Sequence, residues 1–93
     1  MAYSLAFKED ALKEWHVLDN TVREQFKSKL EERLANPHVP ASKLSGQKNR
    51  YKIKLRNMGF RLVYEVRDAE LIVVVVAVGK RERNAVYKAA AKR

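Results

Sequence analysis

The chain predicts an α+β domain: an N-terminal strand, an antiparallel helical hairpin packed on one face of a small, mainly antiparallel four-stranded sheet, and a short C-terminal helix. Three observations support this. Apolar residues recur at every second position from Tyr3 to Phe7, from Tyr51 to Leu55 and from Phe60 to Val66. They recur every three to four positions between Ala11 and Leu34, and an unbroken aliphatic run stands at Leu71 to Val78. A length of 93 residues suffices for one core and not two, so residues 1–93 are expected to form a single domain.

Tyr3, Leu5 and Phe7 alternate with Ala2, Ser4 and Ala6, the period of a half-buried strand, here short and edge-like. From Glu9 to Leu18, Ala11, Leu12, Trp15 and Leu18 form one helical stripe, with Lys8, Lys13 and Glu14 on the other face. Asp19-Asn20 breaks that pattern. Thr21 and Glu24 then have the spacing of a capping box, opening a second helix on which Val22, Phe26, Leu30 and Leu34 recur at steps of four. Both prolines lie between Asn36 and Ser42 and end this helix, because the residue before a proline is steered out of helical geometry.

Tyr51, Ile53 and Leu55 alternate with Lys52, Lys54 and Arg56. After a turn at Asn57-Met58-Gly59, Phe60, Leu62, Tyr64 and Val66 alternate with Arg61, Val63 and Glu65, so an antiparallel hairpin sets Arg61 on the face of Lys52 and Lys54. Arg67 to Glu70 turns the chain. Leu71 to Val78 reads as a central strand buried on both sides, ended by Gly79, and Asn84 to Arg93 as a short basic helix bearing Tyr87. With the helical hairpin on one face of the sheet, the other is expected to be open and basic.

Charge makes the first functional statement: 20 Lys and Arg stand against 11 Asp and Glu, a net +9. Residues 1–36 hold six basic and seven acidic side chains, whereas residues 37–93 hold fourteen and four, so the excess belongs to the C-terminal part. Such one-sidedness is the footprint of a polyanion partner, nucleic acid first among them. The absence of cysteine excludes disulfides, thiolate metal sites and cysteine nucleophiles, and with two histidines a histidine metal site is not expected. MAYSLAFKED has no signal-peptide pattern, so a cytoplasmic protein is expected.

Alternating Lys52, Lys54 and Arg56 would serve equally as a solvated face that guards an edge strand. Solvation does not require Arg61, Lys80, Arg81 and Arg83 to gather there as well. Like charges held together raise one another's energy, and an anionic ligand such as phosphate offsets it. Cleaving RNA through its own 2′-OH needs a base for that hydroxyl, stabilisation of charge at phosphorus, and help for the departing 5′-oxygen. Lys and Arg can supply all three, because cationic neighbours favour the neutral form of a lysine. Trp15, Phe26, Tyr51, Phe60 and Tyr64 sit at core-facing phases; Tyr87, in the basic terminal segment, is placed to touch RNA. His16 and His38 are expected at the surface or in packing.

Taken together, LKEWHVLDNTVREQFKSKLEERLANP, KLSGQKNRYKIKLRNMGFRLVYEV and VVVAVGKRERNAVYKAA closely resemble the RelE toxins of the RelE/ParE superfamily across nearly the whole chain. The resemblance implies a cytoplasmic, metal-free and cofactor-free endoribonuclease, an mRNA interferase that cuts codons in the A site of a 70S-type ribosome and is neutralised by a RelB-like antitoxin. The family's active-site positions match at Lys52, Lys54, Arg61, Arg81 and Tyr87. It implies Lys54, helped by Lys52, as the group activating the 2′-OH, Arg61 as the phosphate holder, Arg81 at the transition state and leaving oxygen, and Tyr87 orienting the RNA. Lys43, Lys48, Arg50, Arg56, Lys80, Arg83 and Lys88 are the cations expected to bind mRNA and ribosomal RNA. One departure is Ser45, which stands where such sequences commonly carry an arginine. The antitoxin is expected to be acidic, since it must cover a +9 toxin, and no membrane is expected. A ParE-like poison of DNA gyrase and a non-catalytic nucleic-acid-binding module are the alternative readings.

Overall fold

The computed structural model describes residues 2–93. β1 (Ser4–Phe7), α1 (Glu9–His16), α2 (Asn20–Ala35), β2 (Arg50–Leu55), β3 (Phe60–Arg67), β4 (Ile72–Lys80) and α3 (Ala85–Ala91) follow in this order, with 3₁₀ turns at Pro40–Ser42 and Asp68–Glu70. The strands lie in the order β1-β4-β3-β2, antiparallel except for β1, which runs parallel to β4. As the alternation of Tyr3, Leu5 and Phe7 predicts, β1 is a short edge strand.

One face of the sheet meets α1 and α2. Tyr51, Ile53 and Leu55 of β2, Leu62, Tyr64 and Val66 of β3, and Val73 and Val75 of β4 close on Ala11, Trp15, Val22, Phe26 and Leu30. Trp15 lies between Phe7 and Phe26, with ring centroids 5.2 and 6.4 Å away. Tyr64 is fully buried because its hydroxyl is satisfied: it donates to Pro37 O at 2.7 Å and accepts from Arg33 at 2.8 Å. His38 bridges the Tyr51 hydroxyl and Asp68, each at 2.8 Å, a packing role of the kind expected for it.

The second face is not left open. Val63, Val76 and Ala77 pack there with Leu44, Val86 and Ala90, so α3 covers the middle of the sheet and the basic surface is confined to the β2 side and the hairpin end. The cause is β4 itself, which is apolar on both faces and needs cover on both. An irregularity of register helps, for Val63 pairs with Ala77 while Tyr64 pairs with Val75, leaving Val76 as an extra residue in β4.

Three local expectations are corrected. The cap of α2 is Asp19, not a Thr21–Glu24 box: the Asp19 carboxylate accepts from the Thr21 N–H at 3.3 Å and the helix starts at Asn20. An anionic cap also meets the positive end of the helix. Gly79 does not end β4, because Arg61 and Phe60 continue the ladder opposite Gly79 and Lys80. Leu71, expected in the strand, instead caps the 3₁₀ turn before it in a left-handed conformation, φ 54°. No helix among the described residues is long and apolar enough to cross a membrane.

Candidate active site

The site is built on the β2–β3 hairpin. Its turn returns to Leu55 O, which accepts from the N–H groups of Met58 and Gly59, and Gly59 takes φ +69°, a conformation open to glycine. This register sets Lys54 directly opposite Arg61 and Lys52 opposite Val63. All four point to the α3 face, because Tyr51, Ile53, Leu55, Leu62 and Tyr64 take the other. After β4, the Arg81 N–H donates to Gly59 O at 2.7 Å, which fastens the Arg81 segment to the hairpin turn.

Lys54, Leu55, Arg56, Phe60, Arg61 and Arg81 line one cavity of about 250 Å³. Its charged lining is entirely cationic. Lys54 feels this: Lys52 foremost, then partial loss of hydration, then Arg61 and Arg56, hold its ammonium below the usual lysine pKa.

Tyr87 stands behind Arg61. The guanidinium carbon lies 5.3 Å from the Tyr87 ring centroid, a cation–π contact that gives the arginine a shelf. Gly79, opposite Arg61 in the ladder, faces α3, where a Cβ would lie in ordinary contact with Val86 at 3.5 Å. Arg61 Nε and the Tyr87 hydroxyl are both buried with no hydrogen-bond partner in the chain. An unpaired buried donor costs about 1–3 kcal/mol.

Lys54, Arg61 and Arg81 thus share one cavity, while Lys52 stands near Lys54 and Tyr87 against Arg61 without lining it. Among the other expected cations, Arg56 lines the cavity, and Lys80 and Arg83 are exposed on the segment leading from β4 to α3. Lys88 is exposed on α3, Lys43 is exposed beside Tyr51, and Lys48 lies beyond the opposite end of β2 from Lys54. Arg50 is different. It bonds Glu65 at 3.1 Å, Gln47 at 3.2 Å and Ala90 O at 2.5 Å, so its guanidinium is spent inside the protein. Its charge is matched by a carboxylate that only the strand register brings opposite it.

Gln25 and Lys29 were not anticipated. They join Lys54, Leu55, Arg56 and Asn57 around a second cleft of about 370 Å³ that shares its wall with the first. In the sequence they belong to the solvated side of α2. Only the docking of α2 beside β2 brings them to the site. Among the described residues no three His, Cys, Asp or Glu side chains gather as metal ligands.

Residues 5–85 match the family model described as the ParE toxin of type II toxin–antitoxin systems. Fold, cationic site and this match together define the class, and the chain belongs to the RelE/ParE superfamily of type II toxins. It is 57% identical to the mRNA interferase toxin RelE of Escherichia coli K12, over 100% of this chain and 98% of that protein. The free E. coli RelE toxin, solved as a mutant, superposes with a TM-score of 0.92 at 55% identity, covering 100% of this chain and 98% of that one. The toxin of the intact E. coli RelBE toxin–antitoxin complex superposes at 0.85 with 56% identity, covering 88% of this chain and 100% of that one.

Proposed function

We propose that this type II toxin is an mRNA interferase: a metal-independent endoribonuclease that cleaves mRNA within the ribosomal A site and so halts translation. The observation behind this reading is the cross-strand pair Lys54–Arg61, with Arg81 on the wall of the same cationic cavity.

Lys54 in its neutral form takes the proton of the 2′-OH. The 2′-oxygen attacks the adjacent phosphorus, and the bond to the 5′-oxygen breaks, leaving a 2′,3′-cyclic phosphate and a 5′-hydroxyl. Arg61, braced on Tyr87, offers its guanidinium to a phosphate oxygen from the cavity wall. Arg81 stabilises the charge gathering on the leaving oxygen, which acquires its proton from water. Arginine does not release its own proton in the accessible pH range.

Neither an enzymic carboxylate nor a histidine lines the cavity. Without a strong acid–base pair, the rate depends on holding the 2′-oxygen in line with phosphorus, which the ribosome supplies by presenting the codon. Free RNA is accordingly a poor substrate. A RelB-like antitoxin is the proposed partner, supported by the solved RelBE complex of the E. coli relative. The ribosome places the toxin in the cytoplasm.

The family description names ParE, which favours a second reading as a DNA gyrase poison. Purified ribosomes programmed with a defined mRNA, run beside gyrase with supercoiled DNA, separate the two. Cleavage at one codon with a cyclic phosphate end supports the interferase; gyrase-dependent DNA breaks with intact mRNA overturn it.

A further inference from the structure

The element that brings Tyr87 to the site is poorly secured at its near end. α3 has seven residues, too few to be stable alone. The chain enters it through Arg83 and Asn84, both left-handed at φ 45° and 59°, and no side chain caps its N-terminus. Its buried anchor is Val86 and Ala90.

Its far end is tied by an ionic fork. Arg93 donates to both carboxylate oxygens of Glu14 on α1, at 2.8 and 3.1 Å, and to Val76 O at 2.9 Å. The same Glu14 accepts from the Val78 N–H at 3.2 Å. Val76 is the extra residue of the β4 irregularity, so the fork binds the strand where its register is interrupted. Lys8 adds a bond to Arg93 O at 2.5 Å, and Arg50 holds Ala90 O. The Arg93 side chain is only 20% exposed, which sets this pair apart from the exposed pairs of α1 and α2.

We infer that Glu14 and Arg93 are positioning residues of the nuclease, a latch that fixes the tilt of α3 and so holds Tyr87 under Arg61. The inference rests on the reading of Arg61 and Tyr87 as parts of the active site. Arg93 lies two residues past the end of α3 at Ala91 and six beyond Tyr87. Releasing the fork frees the C-terminal end of this short helix, and a rotation of α3 about its axis or its Ala90 anchor moves the Tyr87 ring that supports Arg61. Misplacement of a positioning group by about 1 Å costs up to about 10²-fold in rate.

The test is single-turnover cleavage of ribosome-bound mRNA at saturating full-length toxin. Arg93→Gln and Glu14→Gln should each slow cleavage about 10-fold, with the double variant no slower than either, because they break one shared contact. Arg93→Lys, which offers a charge without the fork, should fall between. In a Tyr87→Ala background, Arg93→Gln should cost nothing further, since its effect passes through the ring. An equal loss in both backgrounds, or no loss in the first, overturns the latch. Amide hydrogen exchange of the free toxin supplies an arm independent of catalysis. Arg93→Gln should accelerate exchange in α3 while β3 and β4 keep their protection, and unchanged α3 protection overturns the proposal even if the nuclease reading itself fails.

Discussion

The chemical role proposed for Lys54 carries an electrostatic cost, and both are measurable. Its pKa is lowered chiefly by Lys52, so a larger fraction is neutral at a given pH than for an isolated lysine. The single-turnover rate should rise with pH and level off as Lys54 deprotonates. Lys52→Met removes the leading cause and should move the inflection to higher pH; an unmoved inflection assigns the titration to another group. The same depression means that the charged form is disfavoured by folding. The penalty is fully present below the folded pKa and vanishes as pH rises past the unfolded value. Lys54→Met should therefore raise the thermal midpoint at neutral pH, and the gain should shrink when salt screens the cluster. These residues were legible in the sequence because a strictly alternating Lys52-Lys54-Arg56 has one geometric meaning in a strand. Arg50 continues that alternation and was expected on RNA with the rest, but it faces Glu65. Its pairing depends on register rather than on composition.

At the scale of elements, β2, β3 and α3 meet where Arg50 bonds both Ala90 O and the carboxylate of Glu65. Burial alone would raise its pKa; hydrogen bonds from Arg67 and Arg50, with their charges, outweigh this and hold the carboxyl below its usual value. A depressed carboxylate contributes stability above its unfolded pKa of about 4.3 and loses it as pH falls through the folded pKa. Asp68, lowered by bonds from Tyr3 and His38, acts in the same window. Acid unfolding should therefore steepen below about pH 4.3, and Glu65→Gln should flatten that limb; an identical acid limb in the variant removes Glu65 from the account. On the other face, Phe26 is fully buried on α2 against Trp15, and Phe26→Ala should cost about 3–5 kcal/mol by urea unfolding. The periods of two and of three to four residues were enough to place β1, both helices and the β2–β3 hairpin. They could not show where α3 lies. The double-sided apolarity of Val73 to Val78 signalled that something must cover each face, but a seven-residue helix seated on Val86 and Ala90 leaves only two apolar positions to read. Asp19 was passed over as a helix breaker although its carboxylate caps α2.

For the whole molecule, the +9 charge makes the proposed binding to ribosomes a matter of counterion release. Affinity should fall steeply with salt, and Arg56→Gln should reduce the slope by about one charge's worth. An unchanged slope would place Arg56 away from RNA. Ser45→Arg, which adds a cation in the loop before β2, should tighten binding, and unchanged affinity would show that position to be idle. The central claim is that the cations of the 250 Å³ cavity perform chemistry and do not merely bind phosphate. Single-turnover cleavage of ribosome-bound mRNA, with toxin saturating so that affinity drops out, tests this most directly for Lys54→Ala and Arg81→Ala. General base assistance is worth about 10²–10⁴ in rate, and one preorganised charge at the transition state about 10²–10³. Each variant should bind the ribosome yet cleave at least about 100-fold more slowly, with the pH dependence flattened for Lys54→Ala and retained for Arg81→Ala. Near-parental rates in both would contradict the account and leave the basic face a binding surface alone.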